Sequence, residues 1–427
     1  MPNITFIHSA DLHLDAPFKG LSKNLLNGER LSKQLQEATF AVIDRLEKLC
    51  LDQKPDFLVL AGDLTNSEEQ SVRARLRLVR LCENLKTAGI RVFIIHGNHD
   101  PKAQTFKSIN FPDNVTIFGD TVTRELFIKE GQVQAVIHGL SHETRFDSRN
   151  VTPFFKRDQE YDQCFQLGLL HCTLGASSDS DNIQPATIKE LKETNLDAWA
   201  LGHVHKPGIL AKDPFIAYAG SPQGLDITED GPHGCYLVHA CKNQDSWQCE
   251  ATFQSLAPII WQTIIQPLDE LNSLEKLVLE LETKFDKIKN TLPPNCRSVI
   301  VKIILTGQTK LEQELNSGLN DLMAELALAE TGTPGLYIRD IELATTAAID
   351  LNEYLKRDDL LGYCLRQVEL MQKEDDLKAF VQKTLNPLFG HSQLRKLIKP
   401  LSDDDLSRLL QDVAKLCIAQ LEDQRVY

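Results

Sequence analysis

The sequence predicts an α/β protein: a large first domain built on a mixed sheet, then a smaller α/β unit and a helical tail. Three observations predict it. In the first hundred residues, short apolar runs alternate with longer amphipathic ones, the order that builds parallel βα steps. From Val115 the apolar periodicity shortens towards two, as in Val133, Ala135 and Ile137, so the sheet is expected to continue with antiparallel hairpins. Beyond Asp350 strand-like runs cease and helical spacing remains.

Taken in order, residues 4–8 read as a strand running into Ser9, Ala10 and Asp11. Leu31, Leu35, Ala38, Val42, Leu46 and Leu49 fall at helical spacing, and residues 56–61 follow as a continuous buried strand. The helix recurs over 69–88 and the strand over 91–95, after which the chain turns polar at His96, Gly97, Asn98, His99 and Asp100. Two further strands end the same way: 167–170 runs into His171, and 198–201 into Gly202, His203, Val204 and His205. After a loop at Gly220, Ser221 and Pro222, strands are expected over 235–239 and 251–255, and the first domain, 1–258, closes. Residues 259–345 form the small unit, with strands near 263–265, 299–305 and 337–342 and helices near 268–290 and 309–328. The tail, 346–427, holds amphipathic stretches near 350–372 and 402–423 around a break at 387–390. Ser402 is the N-cap of the second, with Asp403, Asp404 and Asp405 in its first turn.

Composition bounds the function classes. At roughly 150 residues per domain, 427 residues make two to three domains. Hydrophobic residues at 42% and charged residues at 25% exclude a disordered or fibrous chain. No run approaches the ~18 apolar residues of a membrane span, and residues 1–7 enter a strand without a charged leader, so a cytoplasmic protein without membrane contact is expected. Ten scattered cysteines with no C-x-x-C pair read as buried thiols. The net charge of −14 divides evenly, −7 over residues 261–427 and −7 over the rest, so no basic domain exists to hold nucleic acid by bulk electrostatics. An enzyme that grips phosphates through bound cations remains compatible, because each divalent ion brings two positive charges into its cleft.

The five strand ends collect Asp11 and His13, then Asp63, then Asn98, His99 and Asp100, then His171, then His203 and His205. Histidine, carboxylate and one amide suit manganese, iron or zinc and suit calcium poorly. Asp11, His13, Asp63, Asn98, His171, His203 and His205 are too many ligands for one open site. They fit two ions sharing a bridging carboxylate. The pairs Asp11-x-His13 and His203-x-His205 place both side chains on one side of an extended segment, and glycines at 62, 97 and 202 permit tight turns beside the ions. A lone D-x-H carries no weight; five such ends in order do.

In this order Asp11-Leu12-His13, Gly62-Asp63, Gly97-Asn98-His99-Asp100, His171 and Gly202-His203-Val204-His205 resemble the signature of the calcineurin-like metallophosphoesterases. Within them the chain resembles SbcD-like nuclease subunits, and most the YhaO-type DNA-repair branch. The features that carry this are the opening from His8 to His13, the stretches from Gly220 to Asp226 and Gly234 to Val238, and the domain order. The resemblance implies a sandwich of mixed sheets flanked by helices, a capping domain over 259–345, and two-metal hydrolysis of DNA phosphodiesters by a repair exonuclease or endonuclease. It assigns Asp11, His13, Asp63 and His205 to one ion and Asp63, Asn98, His171 and His203 to the other. Manganese is the expected metal, with Fe2+, Zn2+ or Mg2+ as alternatives. His99 is expected to protonate the leaving oxygen, with Asp100 orienting it and favouring its imidazolium form. The implied partners are DNA, a second copy of the chain, and an SbcC- or YhaN-like coiled-coil ATPase docked on the tail helices, whose apolar stripe is Leu406, Leu409, Leu410, Val413, Leu416 and Cys417.

Two departures stand out. Asp15 occupies a position where many SbcD-like nucleases have glycine, and Thr65-Asn66-Ser67 stands where many carry a histidine. The same core also serves phosphatases and cyclic-nucleotide phosphodiesterases, and a partner-binding subunit with residual catalysis is a third reading. His8 and His96 read as structural hydrogen-bonders. Arg73, Arg75, Arg77 and Arg80 form a basic run, either a solvated face or a contact to nucleic-acid backbone.

Overall fold

The computed structural model describes residues 3–21, 29–66, 71–103, 110–175, 182–243, 246–328, 334–347 and 351–373, together with 409, 412–414 and 416–418 of the tail. The break at 387–390, the Ser402 cap with its three aspartates, Leu406, Leu410 and Ser67 lie outside the described residues.

Four parallel strands come first and lie side by side: β1 (Asn3–Ser9), β2 (Phe57–Ala61), β3 (Arg91–Ile95) and β4 (Val115–Ile117). Helices Glu29–Gln53 and Val72–Thr87 connect the first three, as the alternating pattern requires. The hairpin expected next is present as β5 (Thr123–Lys129) and β6 (Gln132–Gly139). It opens a second sheet, however, and does not extend the first. That sheet continues with β7 (Phe165–His171), β8 (Ala198–Gly202), β9 (Gly208–Lys212) and β10 (Phe215–Tyr218), in the order β5-β6-β7-β8-β10-β9. The strands β6, β7, β8 and β10 run parallel, so the second sheet too is mainly parallel at its centre. The chain then returns through the hairpin β11 (Gly234–Asn243) and β12 (Ser246–Ser255), with β11 antiparallel to β1.

Side-chain alternation turns the two sheets into a sandwich. Phe57, Val59 and Ala61 point towards the second sheet and meet Phe127, Ile137, Phe165 and Leu167 in the central core. Leu58 and Leu60 point the other way, onto Val42, Leu46, Leu78 and Leu81 of the two helices. On the far side of the second sheet, Leu170, Trp199, Leu201 and Ile216 pack on Leu191 of the short helix Ile188–Glu193. Both sheets are thus buried on two faces, which is why their strands read as unbroken apolar runs.

A third sheet holds β13 (Ile259–Pro267), β14 (Ser298–Thr309) and β15 (Gly335–Ala347) in that order. Its helices are Leu274–Thr291 and Glu312–Leu328. Ile259 and Trp261 of β13 and Ile300 of β14 bury against Leu31, Leu35 and Ala38 of the helix Glu29–Gln53. Contacts divide the chain into two compact units: Met1–Pro267 with Ser273–Thr306 and Ser317–Ala344, and Leu268–Asn272 with Gly307–Asn316 and Thr345–Tyr427.

In the second unit the single helix expected over 350–372 is two, Leu351–Leu355 and Leu360–Lys373. Leu361 and Leu365 bury against Ala414 and Ile418, with Cys417 beside them. The buried face of the last stretch is therefore rotated from the expected stripe: Leu409, Val413 and Leu416 are exposed. Choosing the bulkiest residues misplaces the face, because the small Ala414 lies on its buried side. No described helix is long and apolar enough to cross a membrane. All ten cysteines are free thiols.

Candidate metal centre

Every candidate ligand lies at the C-terminal end of a parallel strand. Asp11 and His13 follow β1, Asp63 follows β2 and Asn98 follows β3, while His171 ends β7 and His203 and His205 follow β8. Both sheets deliver these ends to one edge of the sandwich, the usual place for a site in parallel α/β architecture. Five of the seven, all but His203 and His205, are at most 7% exposed for the residue as a whole, and those two are half-buried.

The expected pleat does not produce this convergence. Asp11, His13, Asp63 and His203 take left-handed backbone conformations, with φ of 50°, 40°, 50° and 100°. Each such residue costs about 1–3 kcal/mol, and clusters of them persist where function holds them. Hydrogen bonds fix the turns: the amides of Asp11 and His13 donate to the carbonyls of Gly62 and Asp63, both at 3.0 Å. A side chain at Gly62, which has φ 89°, would overlap the His171 ring, and one at Gly97 would overlap the Asp63 carboxylate.

The histidines are wired so that one nitrogen is committed and the other faces inward. His13 Nδ1 bonds Asn66 Oδ1 and His205 Nδ1 bonds Glu229 Oε1, each at 2.8 Å. Their Nε2 atoms then face each other across 3.1 Å. His171 Nδ1 donates to the Ala61 carbonyl at 3.0 Å, leaving Nε2 2.9 Å from Asn98 Oδ1 and 3.3 Å from Asp63 Oδ2. His203 Nδ1 lies 3.2 Å from the same Asn98 oxygen, and its amide donates to both oxygens of Asp11. Lone pairs aimed at lone pairs are repulsive unless a proton or a cation lies between them. The donor set therefore fits divalent cations, with Nδ1 of His13, His205 and His171 held by an outer partner as metal-ligating histidines usually are. Among the described residues, two groups converge tightly enough to share an ion: Asp11, His13 and His205, and Asp11, Asp63 and His171.

Electrostatics agree. Burial raises the Asp11 carboxyl to about 6, against the opposing pull of His171 and His205. Burial works against the charge of Asp63 too, yet His171, His13 and His99 outweigh it and hold its carboxyl well below the ordinary range. Burial would likewise depress His171 and His205, but nearby carboxylates, Asp63 for the first and Glu229 for the second, raise both to about 9.

His99 and Asp100 take different places. The His99 amide donates to Asp63 Oδ1 at 2.7 Å, and its half-buried ring stands edge-on to His13. Asp100 closes the Asp63 turn, accepting from the amides of Asp63, Leu64 and Gly97 at 3.2, 3.0 and 2.8 Å. Burial lowers the His99 pKa, with Asp63 opposing it, so the expected bias towards imidazolium is corrected.

His8 bonds the Leu201 carbonyl and His142 bonds that of His171, so both are structural. Arg73 pairs with Glu37 at 2.7 Å and Arg77 pairs with Asp44, placing half of the basic run on a seam with the helix Glu29–Gln53. Asn66 and Glu229 were not foreseen. Asn66 stands three residues after Asp63; Glu229 is far along a loop without periodicity.

The calcineurin-like phosphoesterase family profile matches residues 4–207, and that of the metallophosphoesterase YhaO middle domain matches residues 261–346. The metallophosphoesterase YhaO of Bacillus subtilis (strain 168) is 35% identical over 309 residues, 72% of each chain. The DNA double-strand break repair protein Mre11 of Archaeoglobus fulgidus is 24% identical over 244 residues, covering 52% of this chain and 51% of that one. With the dinuclear centre characteristic of that family matched by these converging donors, the chain belongs to the calcineurin-like metallophosphoesterases, metal-dependent phosphoester hydrolases, and to their YhaO-type branch.

Proposed function

We propose that the protein is a manganese-dependent phosphodiesterase that hydrolyses DNA. The observation that carries the reading is the facing pair of His13 and His205 Nε2 atoms beside two buried carboxylates, a donor set built for cations. The likeness to Mre11 over half the chain supports DNA as the substrate.

Asp11, His13 and His205 would hold one cation and Asn98, His171 and His203 the other, with Asp63 available to both. Two bound divalent cations supply Lewis-acid polarisation of the phosphoryl group, a lowered water pKa and charge neutralisation. The protein's own part is to fix the donors and to exclude water from their buried side. His99 would move the proton to the departing oxygen; its backbone is tied to Asp63 and its ring stands edge-on to that of His13.

Assay of the full chain against single-stranded DNA, duplex ends and a chromogenic phosphodiester, with and without manganese, tests the substrate. DNA hydrolysis that requires manganese is expected, with binding only modestly weakened by salt because few phosphates are contacted. Rapid turnover of a nucleotide monoester with no hydrolysis of DNA or RNA would assign the centre to a phosphatase.

The exposed Leu409, Val413 and Leu416 support the tail as the docking element for a coiled-coil ATPase. A chain ending at residue 350 should still bind metal and hydrolyse DNA while no longer capturing the ATPase. Aggregation of that chain would place the tail in the protein's own core.

A further inference from the structure

The loop between β10 and β11 joins the metal centre to the third sheet. Glu229 bonds His205 Nδ1 through Oε1 at 2.8 Å, while its Oε2 accepts from Ser221 Oγ at 3.1 Å and from the Leu225 amide at 3.2 Å. Its carbonyl lies 3.0 Å from Nε2 of the buried His233, whose Nδ1 bonds the Ser221 carbonyl at 2.7 Å. Glu229 is thus held at both ends and has little freedom to turn from His205.

This loop is pinned in turn by β13. The Trp261 indole donates to the Gly224 carbonyl at 2.9 Å, and the Gly231 amide donates to the Trp261 carbonyl at 2.9 Å. The Gln223 amide group donates to the Ile259 carbonyl at 2.8 Å and accepts from the Ile259 amide at 3.3 Å. Trp261 and Gln223 are almost fully buried, so these bonds are shielded from water.

We propose that Glu229 is a positioning residue for His205 and that the first strand of the middle domain, through Trp261, sets its place, so that this domain governs the affinity of one of the two cation positions. The proposal rests on reading His205 as a ligand. A carboxylate behind a ligating imidazole fixes the ring's tautomer and orientation and raises its basicity. Glutamine cannot replace it here. The amide has only one acceptor oxygen, so its NH2 would face either His205 Nδ1 or the Leu225 amide, donor against donor.

The test is manganese titration of the full chain by calorimetry, with turnover followed against manganese concentration. In Glu229→Gln one of the two sites should weaken by about 10- to 100-fold while the other keeps its affinity, and raising manganese should recover turnover. Trp261→Phe, which keeps the ring in its apolar pocket but loses the indole donor, should weaken the same site by about 2- to 10-fold, the worth of one hydrogen bond. If Glu229→Gln does not fold, Ser221→Ala, which removes one bond to Oε2, should weaken the same site in the same direction. Two wild-type affinities in folded variants overturn the proposal alone. A wild-type chain that takes up no manganese overturns the metal reading and the proposal with it.

Discussion

Asp63→Asn is expected to reduce turnover by at least ~10³-fold, the several kcal/mol that cations contribute to transition-state charge at about 1.4 kcal/mol per factor of ten. Asp63 Oδ2 lies 3.3 Å from Nε2 of His171 and 3.7 Å from Nε2 of His13, so a single oxygen faces both halves of the centre. Its other oxygen is taken by the His99 amide. Asparagine keeps one acceptor and loses the charge. If that oxygen stays on the His99 amide, an NH2 group points at the cations; if it turns to the cations, NH2 meets an N–H. Turnover of a phosphodiester at saturating manganese, with bound metal counted in the same preparation, checks this. Activity within tenfold of wild type would show that Asp63 does not bridge.

His99→Ala should lose about 10²- to 10⁴-fold in rate, the usual contribution of a positioned acid, and still hold both ions. Its tie to Asp63 runs through the backbone amide, which alanine retains, so the Asp63 turn survives the substitution. The ring makes an edge-on contact with His13, 5.1 Å between centroids. Burial lowers the His99 pKa, with Asp63 opposing it. A substrate with a better leaving group needs less help from an acid and should suffer less from the loss. A variant that binds fewer ions than wild type would make His99 a ligand.

The parts of the centre legible in the sequence are those that chain order alone dictates. Parallel βα steps place each residue after a strand at the same sheet edge, so Asp11, Asp63, Asn98, His171 and His203 are brought together by topology. How they converge was not legible. The two-residue spacing of Asp11 and His13 suggests a pleat, but left-handed turns at both residues do the work, and such turns at non-glycine positions leave no compositional trace. Asn66 and Glu229 were hidden for another reason: each acts on a histidine remote in sequence, with |i−j| of 53 and 24, from a loop without periodicity. Asp100 sits beside His99 in sequence but spends its oxygens on backbone amides of the neighbouring turn, an allocation that spacing cannot reveal. At the fold level, period-two alternation identified the hairpin of β5 and β6. It could not say that the hairpin begins a second sheet, because buried strands look alike whichever sheet they join.

Two cations are expected to share Asp63 at the edge of the sandwich. Manganese loading of the full chain, removal of unbound metal, counting of bound ions and an electron paramagnetic resonance spectrum measure this. Two ions per chain with the signature of a coupled pair are expected; one ion per fully loaded chain, or two that are magnetically independent, would contradict a shared carboxylate.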